Sequence, residues 1–206
     1  MDYVWLYVLL GQNKKNKKFK YLFIYRQVKI VLFNYTLGIK EENEKTKTNY
    51  RKAVRAVILK DNNILLVHTN KGDFKFPGGG MNKEESQEQT LIREVKEETG
   101  YIVGDVKEKI GVFIERSLDR YRKNFVFEMI STYYLCELTD GIADQELDDY
   151  EIELGFKPIW INLNEAIRVN EGIIKNDSLE KNKWIYRETK ALKAVSENYN
   201  SLIKGK

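Results

Sequence analysis

Hydrophobic and polar residues alternate over short stretches of this chain and elsewhere recur at helical spacing, and the switches between the two patterns mark its elements. Ala53 to Leu59 and Ile64 to His68 are short runs rich in aliphatic residues that predict two strands, with Asp61-Asn62-Asn63 supplying the turn between them. Phe74-Lys75-Phe76 leads into Pro77-Gly78-Gly79-Gly80, an irregular loop, because consecutive glycines hold no regular element. Ser86-Gln87-Glu88-Gln89 has the form of a capping box and predicts a helix from Ser86 to Gly100, which suits the left-handed position past a helix end. Val106 to Ile114 and Phe125 to Leu138 predict strands, Asp140 to Glu153 a long acidic loop, and Pro158 to Ile161 a short strand. Asn162 with Glu165 opens a short helix. From about Leu179 onward, Ile185, Leu192, Val195, Tyr199 and Leu202 recur at three-, four- and seven-residue spacings, the pattern of one long amphipathic closing helix. Strands mixed with two or three helices predict an α/β sandwich.

The first fifty residues follow another pattern. An apolar stretch, Tyr3 to Leu10, precedes the basic run Lys14, Lys15, Lys17, Lys18, Lys20. A secretory signal has the opposite order and a small-residue cleavage site, so none is expected. Tyr21 to Tyr35 is aromatic and β-branched and predicts one or two strands, while Arg26, Gln27 and Lys29 interrupt it as a membrane span. Glu41 to Asn49 is polar and reads as a linker. The expected division is therefore an N-terminal extension of unknown role over residues 1–47 and a main domain over 48–206.

Composition narrows the chemistry. At 206 residues with 42% hydrophobic and 32% charged positions, the chain has enough apolar residues for a core without disulfide staples. One cysteine, Cys136, excludes an internal disulfide framework and reads as a buried small hydrophobe. The single histidine, His68, excludes multi-histidine metal sites and reads as structural, so any metal must be held by oxygen. No run approaches the roughly 18 apolar residues of a transmembrane helix. The net charge of +4 is unevenly spread, with ten Lys/Arg against four Asp/Glu in residues 1–50 and 25 against 27 in the rest. The basic run is either simply solvated or a weak anionic-surface contact, and no specific nucleic-acid partner is expected. A cytoplasmic location follows as the expectation.

Glu94, Glu97 and Glu98 stand at i, i+3 and i+4 on the helix after the glycine loop, which places three carboxylates on one face. Such a face is either a solvated acidic stripe or a site for a hard cation, since clustered acids repel unless neutralised. Gly79, five residues, Glu85, seven residues, then Arg93-Glu94-Val95-Lys96-Glu97-Glu98-Thr99-Gly100 resembles the Nudix box of the Nudix hydrolase family. The likeness extends over Phe76 to Tyr101, with Tyr101 standing where the family pattern usually has an aliphatic residue, and the strand around Trp160 resembles the later part of that fold.

The resemblance implies a Nudix-type α/β/α sandwich with a mixed sheet, and MutT-like chemistry on phosphorus-containing acid anhydrides. It implies Glu94, Glu97 and Glu98 as metal ligands, with Gly78 contributing backbone, and Mg²⁺ as the cofactor, with Mn²⁺ able to substitute. Glu94 or a neighbouring acid assists deprotonation of water, and Arg93 with Glu85 orients helix and loop. Gly79 contacts metal or phosphate through backbone. Arg55, on the first core strand, is within reach of a phosphate. Phe74 and Phe76 either stack on a base or pack in the core, with Phe76 taken as the substrate-facing candidate. Family members often recruit a further acid from a later loop, for which Glu151 and Glu153 are the candidates. The implied substrate is a small-molecule nucleotide, a (deoxy)nucleoside triphosphate, normal or oxidised. The subfamily marks of ADP-ribose, coenzyme A and dinucleoside polyphosphate hydrolases are missing: Pro77 and Pro158 are the only prolines, and Tyr121 falls late for the tyrosine of the last group. An ADP-ribose or other nucleotide-sugar pyrophosphatase, and a non-catalytic nucleotide sensor, are the alternatives. A homodimer is compatible with the pattern.

Overall fold

A computed structural model of the chain describes residues 7–9, 21–23, 31–39 and 47–203. The chain divides into two units, residues 1–30 and 31–206. In the first, β1 (Tyr7–Leu9) and β2 (Tyr21–Phe23) form an antiparallel pair with Tyr7 opposite Phe23. The basic run between them lies outside the described residues, as do residues 41–46 of the expected linker.

The second unit is built on two sheets. β3 (Phe33–Gly38), β4 (Lys47–Val57), β8 (Tyr101–Leu118) and β9 (Phe125–Ile142) form one of them in the order β3-β8-β9-β4. It is mixed: β8 and β9 run antiparallel, while β3 joins β8 and β4 joins β9 in parallel. In the other, β6 (Asn63–His68) lies between β5 (Leu59–Lys60) and β10 (Lys157–Asn162), and β7 (Phe74–Lys75) also pairs with β6. Asp61 and Asn62, both at positive φ (47° and 64°), turn the chain from β5 to β6, as short polar side chains tolerate.

Period-two alternation puts a core on each side of β6. Leu65 packs with Val54, Ala56, Leu91 and Val95, under helix α1 (Gln87–Thr99). Ile64 and Leu66 pack with Tyr133, Leu163, Ala166, Leu192 and Val195, under α3 (Leu163–Lys175) and α4 (Ile185–Glu197). This is the α/β/α sandwich. Short helices α2 (Asp149–Glu153) and α5 (Tyr199–Ile203) complete the order. Among the described residues, no helix is long and apolar enough to cross a membrane.

Four expectations change. The division falls after Ile30 rather than after residue 47, because β3 is bonded to β8 over Gly111–Arg116 and Phe33, only 4% exposed, fills the core beside Tyr133. Gly111 leaves the space that the Phe33 ring occupies. The stretch from Asp140 to Glu153 is not all loop: β9 continues to Ile142, and a capping box between Asp148 and Glu151 opens α2. β8 starts at Tyr101, directly after the helix cap, rather than at Val106. The closing helix is two helices, broken at Asn198, and begins at Ile185 rather than near Leu179.

Candidate active site

Local sequence fixes α1. Ser86 Oγ accepts the Gln89 N–H (3.1 Å), Gln89 Oε1 accepts the Ser86 N–H (2.9 Å), and Gly100 closes the helix at φ 74°. Burial of Leu91 and Val95 sets its rotation and turns the carboxylate edge toward the glycine loop. The loop is threaded along β4: the Gly79 carbonyl accepts the Val54 N–H (3.0 Å) and the Pro77 carbonyl that of Ala56 (2.8 Å). Gly78, at φ 134°, lies so close to the Val54 carbonyl that a side chain has no room.

Two charge networks meet at this loop. In the first, Arg93 clasps Glu85 through Nε (2.7 Å) and Nη2 (2.9 Å), while Nη1 reaches both Glu94 (2.9 Å) and Glu97 (2.8 Å). Arg93 holds Glu85 down to about pKa 2, helped by Asn82 and Thr90. The Glu94 carboxylate rests against Gly79 where a methyl group would collide with it, and burial raises its pKa above the usual carboxylate range. In the second network, Glu98 is 1% exposed, pairs with Lys75, and accepts the Gly78 N–H at 2.9 Å. Its burial outweighs the Lys75 charge and lifts it to about pKa 7. Arg55 donates from Nη1 to the Gly78 carbonyl, and its buried Nε has no partner among the described residues.

These networks border a cavity of about 1060 Å³, lined by Glu94, Glu97, Arg93 and the loop. Arg51, Arg55, Arg116, Arg120, Lys183 and Arg187 also face it, as do Phe127, Tyr150, Phe156 and Trp184. Arg187 is engaged by Glu115 and Glu188, and Arg116 by Glu128. Arg51, Arg120 and Lys183 make no ion pair among the described residues.

Of the sequence-nominated residues, the structure brings Glu85, Arg93, Glu94, Glu97, Glu98, Gly78, Gly79 and Arg55 together. Two nominations change. Phe76 is fully buried, edge-on to Tyr133, with its N–H donated to Glu188 (3.0 Å), so it packs the core and cannot meet substrate. Gly78 donates its N–H to Glu98 and accepts from Arg55 at its carbonyl, which ties the loop to the second network. Glu153 is exposed and outside the cavity wall; its companion Glu151 is buried in that wall, accepting from Tyr150 O–H (2.8 Å) and the Asp148 N–H (3.0 Å). Asp148-x-x-Glu151 is a capping pattern visible in the sequence. Sequence reasoning also missed Lys75, and Trp184, whose indole N–H is held by buried Asp73 (2.9 Å) so that it offers the cavity a ring rather than a donor. Both depend on partners far along the chain.

Among the described residues, no three acids already form a metal cage. The donor set nevertheless fits a hard divalent ion: every candidate is a carboxylate oxygen, and two are raised by burial, a cost that an approaching cation relieves. Arg93 Nη1 bridges Glu94 and Glu97, and the Lys75 ammonium pairs with Glu98, so each of the three carboxylates already has a positively charged partner.

A family model for the NUDIX domain matches residues 49–183. The mouse protein named diphosphoinositol polyphosphate phosphohydrolase 3-alpha is 30% identical over 112 residues, covering 53% of this chain and 61% of the mouse protein. An ADP-ribose pyrophosphatase of Methanocaldococcus jannaschii is 39% identical over 82 residues, 38% of this chain and 47% of its own length. The chain thus spans about three fifths or less of these curated relatives. A solved NUDIX hydrolase from Nitrosomonas europaea superposes with a TM-score of 0.49 at 18% identity, over 74% of this chain and 90% of that one.

Proposed function

This chain belongs to the NUDIX domain family, and from that premise we propose that it is a divalent-metal-dependent hydrolase of phosphoanhydrides, Mg²⁺ or Mn²⁺ serving as the metal. The observation that carries the reading is one cavity lined by the carboxylate helix, the glycine loop and three cations, Arg51, Arg120 and Lys183, that make no ion pair among the described residues. Glu94, Glu97 and Glu98 would hold the metal, which when bound polarises a phosphoryl oxygen and makes water a competent nucleophile. Glu94, raised by burial and braced against Gly79, takes the water's proton at its carboxylate; Glu151 stands in the same cavity as the other acid able to do so. Arg93, pinned by Glu85, keeps Glu94 and Glu97 in register. Arg55 braces the loop against β4.

For the substrate, we favour a nucleoside triphosphate, normal or oxidised. Arg51, Arg120 and Lys183 supply more positive charge than the two phosphates of ADP-ribose require, and the Trp184 ring suits a base. A ring carrying many phosphates is the second reading. The same cations favour it, and it accords with the name of the mouse relative. Measuring kcat/KM with Mg²⁺ for a nucleoside triphosphate, ADP-ribose and a diphosphoinositol polyphosphate decides the order. A clear preference for ADP-ribose rejects the substrate reading and leaves the phosphoanhydride chemistry standing. No metal-dependent hydrolysis of any of them, followed as loss of the intact substrate, rejects both.

A further inference from the structure

We propose that Lys75 is a resident counter-cation of the carboxylate helix, holding Glu98 until a divalent ion displaces it and thereby setting how tightly the site takes metal. The proposal rests on the metal-dependent reading above. It begins with strand alternation: Phe74 and Phe76 turn into the core under α3 and α4, which sends Lys75 between them to the opposite side, toward α1. There the lysine is 4% exposed. Among the described residues, its ammonium meets one carboxylate, Glu98, and the ring of Phe156, 4.5 Å from the centroid.

The two cations on this helix differ in how they are held. Arg93 is clasped by Glu85 through two other nitrogens, so its position persists whatever happens at Nη1. Lys75 is a point charge on a flexible stem with a single anionic partner, and it is therefore the exchangeable one. A buried ion pair generally adds little stability beyond what apolar residues of the same size supply, so core stability does not account for a lysine here. Its partner does: Glu98 accepts the Gly78 N–H at its second oxygen, at the loop that borders the cavity. Lys75 also lines that cavity, so an ammonium released by Glu98 finds its next anion in a phosphoryl oxygen of the substrate. Metal would enter first, and substrate would then neutralise the freed lysine.

The test is Mn²⁺ binding to the full chain without substrate, read from the electron paramagnetic resonance signal of free Mn²⁺ at pH 8.5. K75Q keeps an amide donor for Glu98 and loses the charge; K75R keeps the charge. K75Q should bind Mn²⁺ about tenfold more tightly than wild type, and K75R within about threefold of it, because only the first removes a like charge from the site. Equal or weaker Mn²⁺ binding by folded K75Q overturns the proposal. If K75Q does not fold, wild type labelled with ¹⁵N-lysine carries the test, using K75R to assign the signal. Saturating Mg²⁺ must shift the Lys75 ammonium resonance, and an unmoved resonance overturns the proposal while leaving the metal site intact. Wild type that takes up no Mn²⁺ overturns the metal reading as well.

Discussion

At the scale of single residues, Glu98 and Glu85 respond to their surroundings in opposite directions. The folded, metal-free protein keeps the Glu98 proton up to about pH 7, whereas the unfolded chain releases it near 4.5. The folded state binds the extra proton between those values, so this site's contribution to stability falls as pH rises from 4.5 through 7 and is level above. Thermal melts in EDTA should show that decline, and Glu98→Gln should flatten it. Glu85 is held at about pKa 2 by Arg93, so its contribution is complete above pH 4.5 and is lost as pH falls toward 2. Glu85→Gln should remove that acid-side loss. In turnover, Glu97→Gln or Glu98→Gln should cost on the order of 10²-fold or more in kcat, each deleting a ligand charge. EDTA should silence wild type, with Mg²⁺ or Mn²⁺ restoring it; full activity in EDTA would sink the metal assignment.

At the scale of elements, α1 and the glycine loop separate stability from chemistry. Ser86→Ala removes a cap and should cost about 1 kcal/mol of stability while leaving kcat nearly unchanged. Gly79→Ala instead drives a methyl group into the Glu94 carboxylate, so kcat should collapse with a small change in melting temperature. Gly100→Ala should be the most destabilising of the three, since its φ of 74° and its approach to the Ala143 carbonyl both oppose a side chain. A Gly79→Ala enzyme at wild-type rate would show that the loop does not hold Glu94. These features were legible because cap, turn and carboxylate face are set within a few residues. The start of α4 was not: the segment before it is pinned by Asn182 and Trp184 to Asp73, more than 100 residues upstream.

At the scale of the molecule, β3 belongs with the main domain. Removing Phe33 from the core should cost about 3–5 kcal/mol, so a chain starting at residue 48 should melt on the order of 10 °C below one starting at residue 31. Equal melting temperatures would return the boundary to residue 47. The sequence by itself determined the motif, the all-oxygen set of candidate donors, the capped helix and its three carboxylates on one face, because helical spacing and the residue types needed no distant partner. Tertiary structure alone decided which way each ambiguous side chain turned. Phe76 packed under α3 and α4, where Glu188, 112 residues away, holds its N–H, and Lys75 was buried on the opposite side against Glu98, 23 residues away. Glu151 rather than Glu153 entered the cavity because α2 turns that face inward, and β3 entered the sheet because β8 offered it a parallel edge. Each of those choices is made by a contact between segments that the chain order keeps apart.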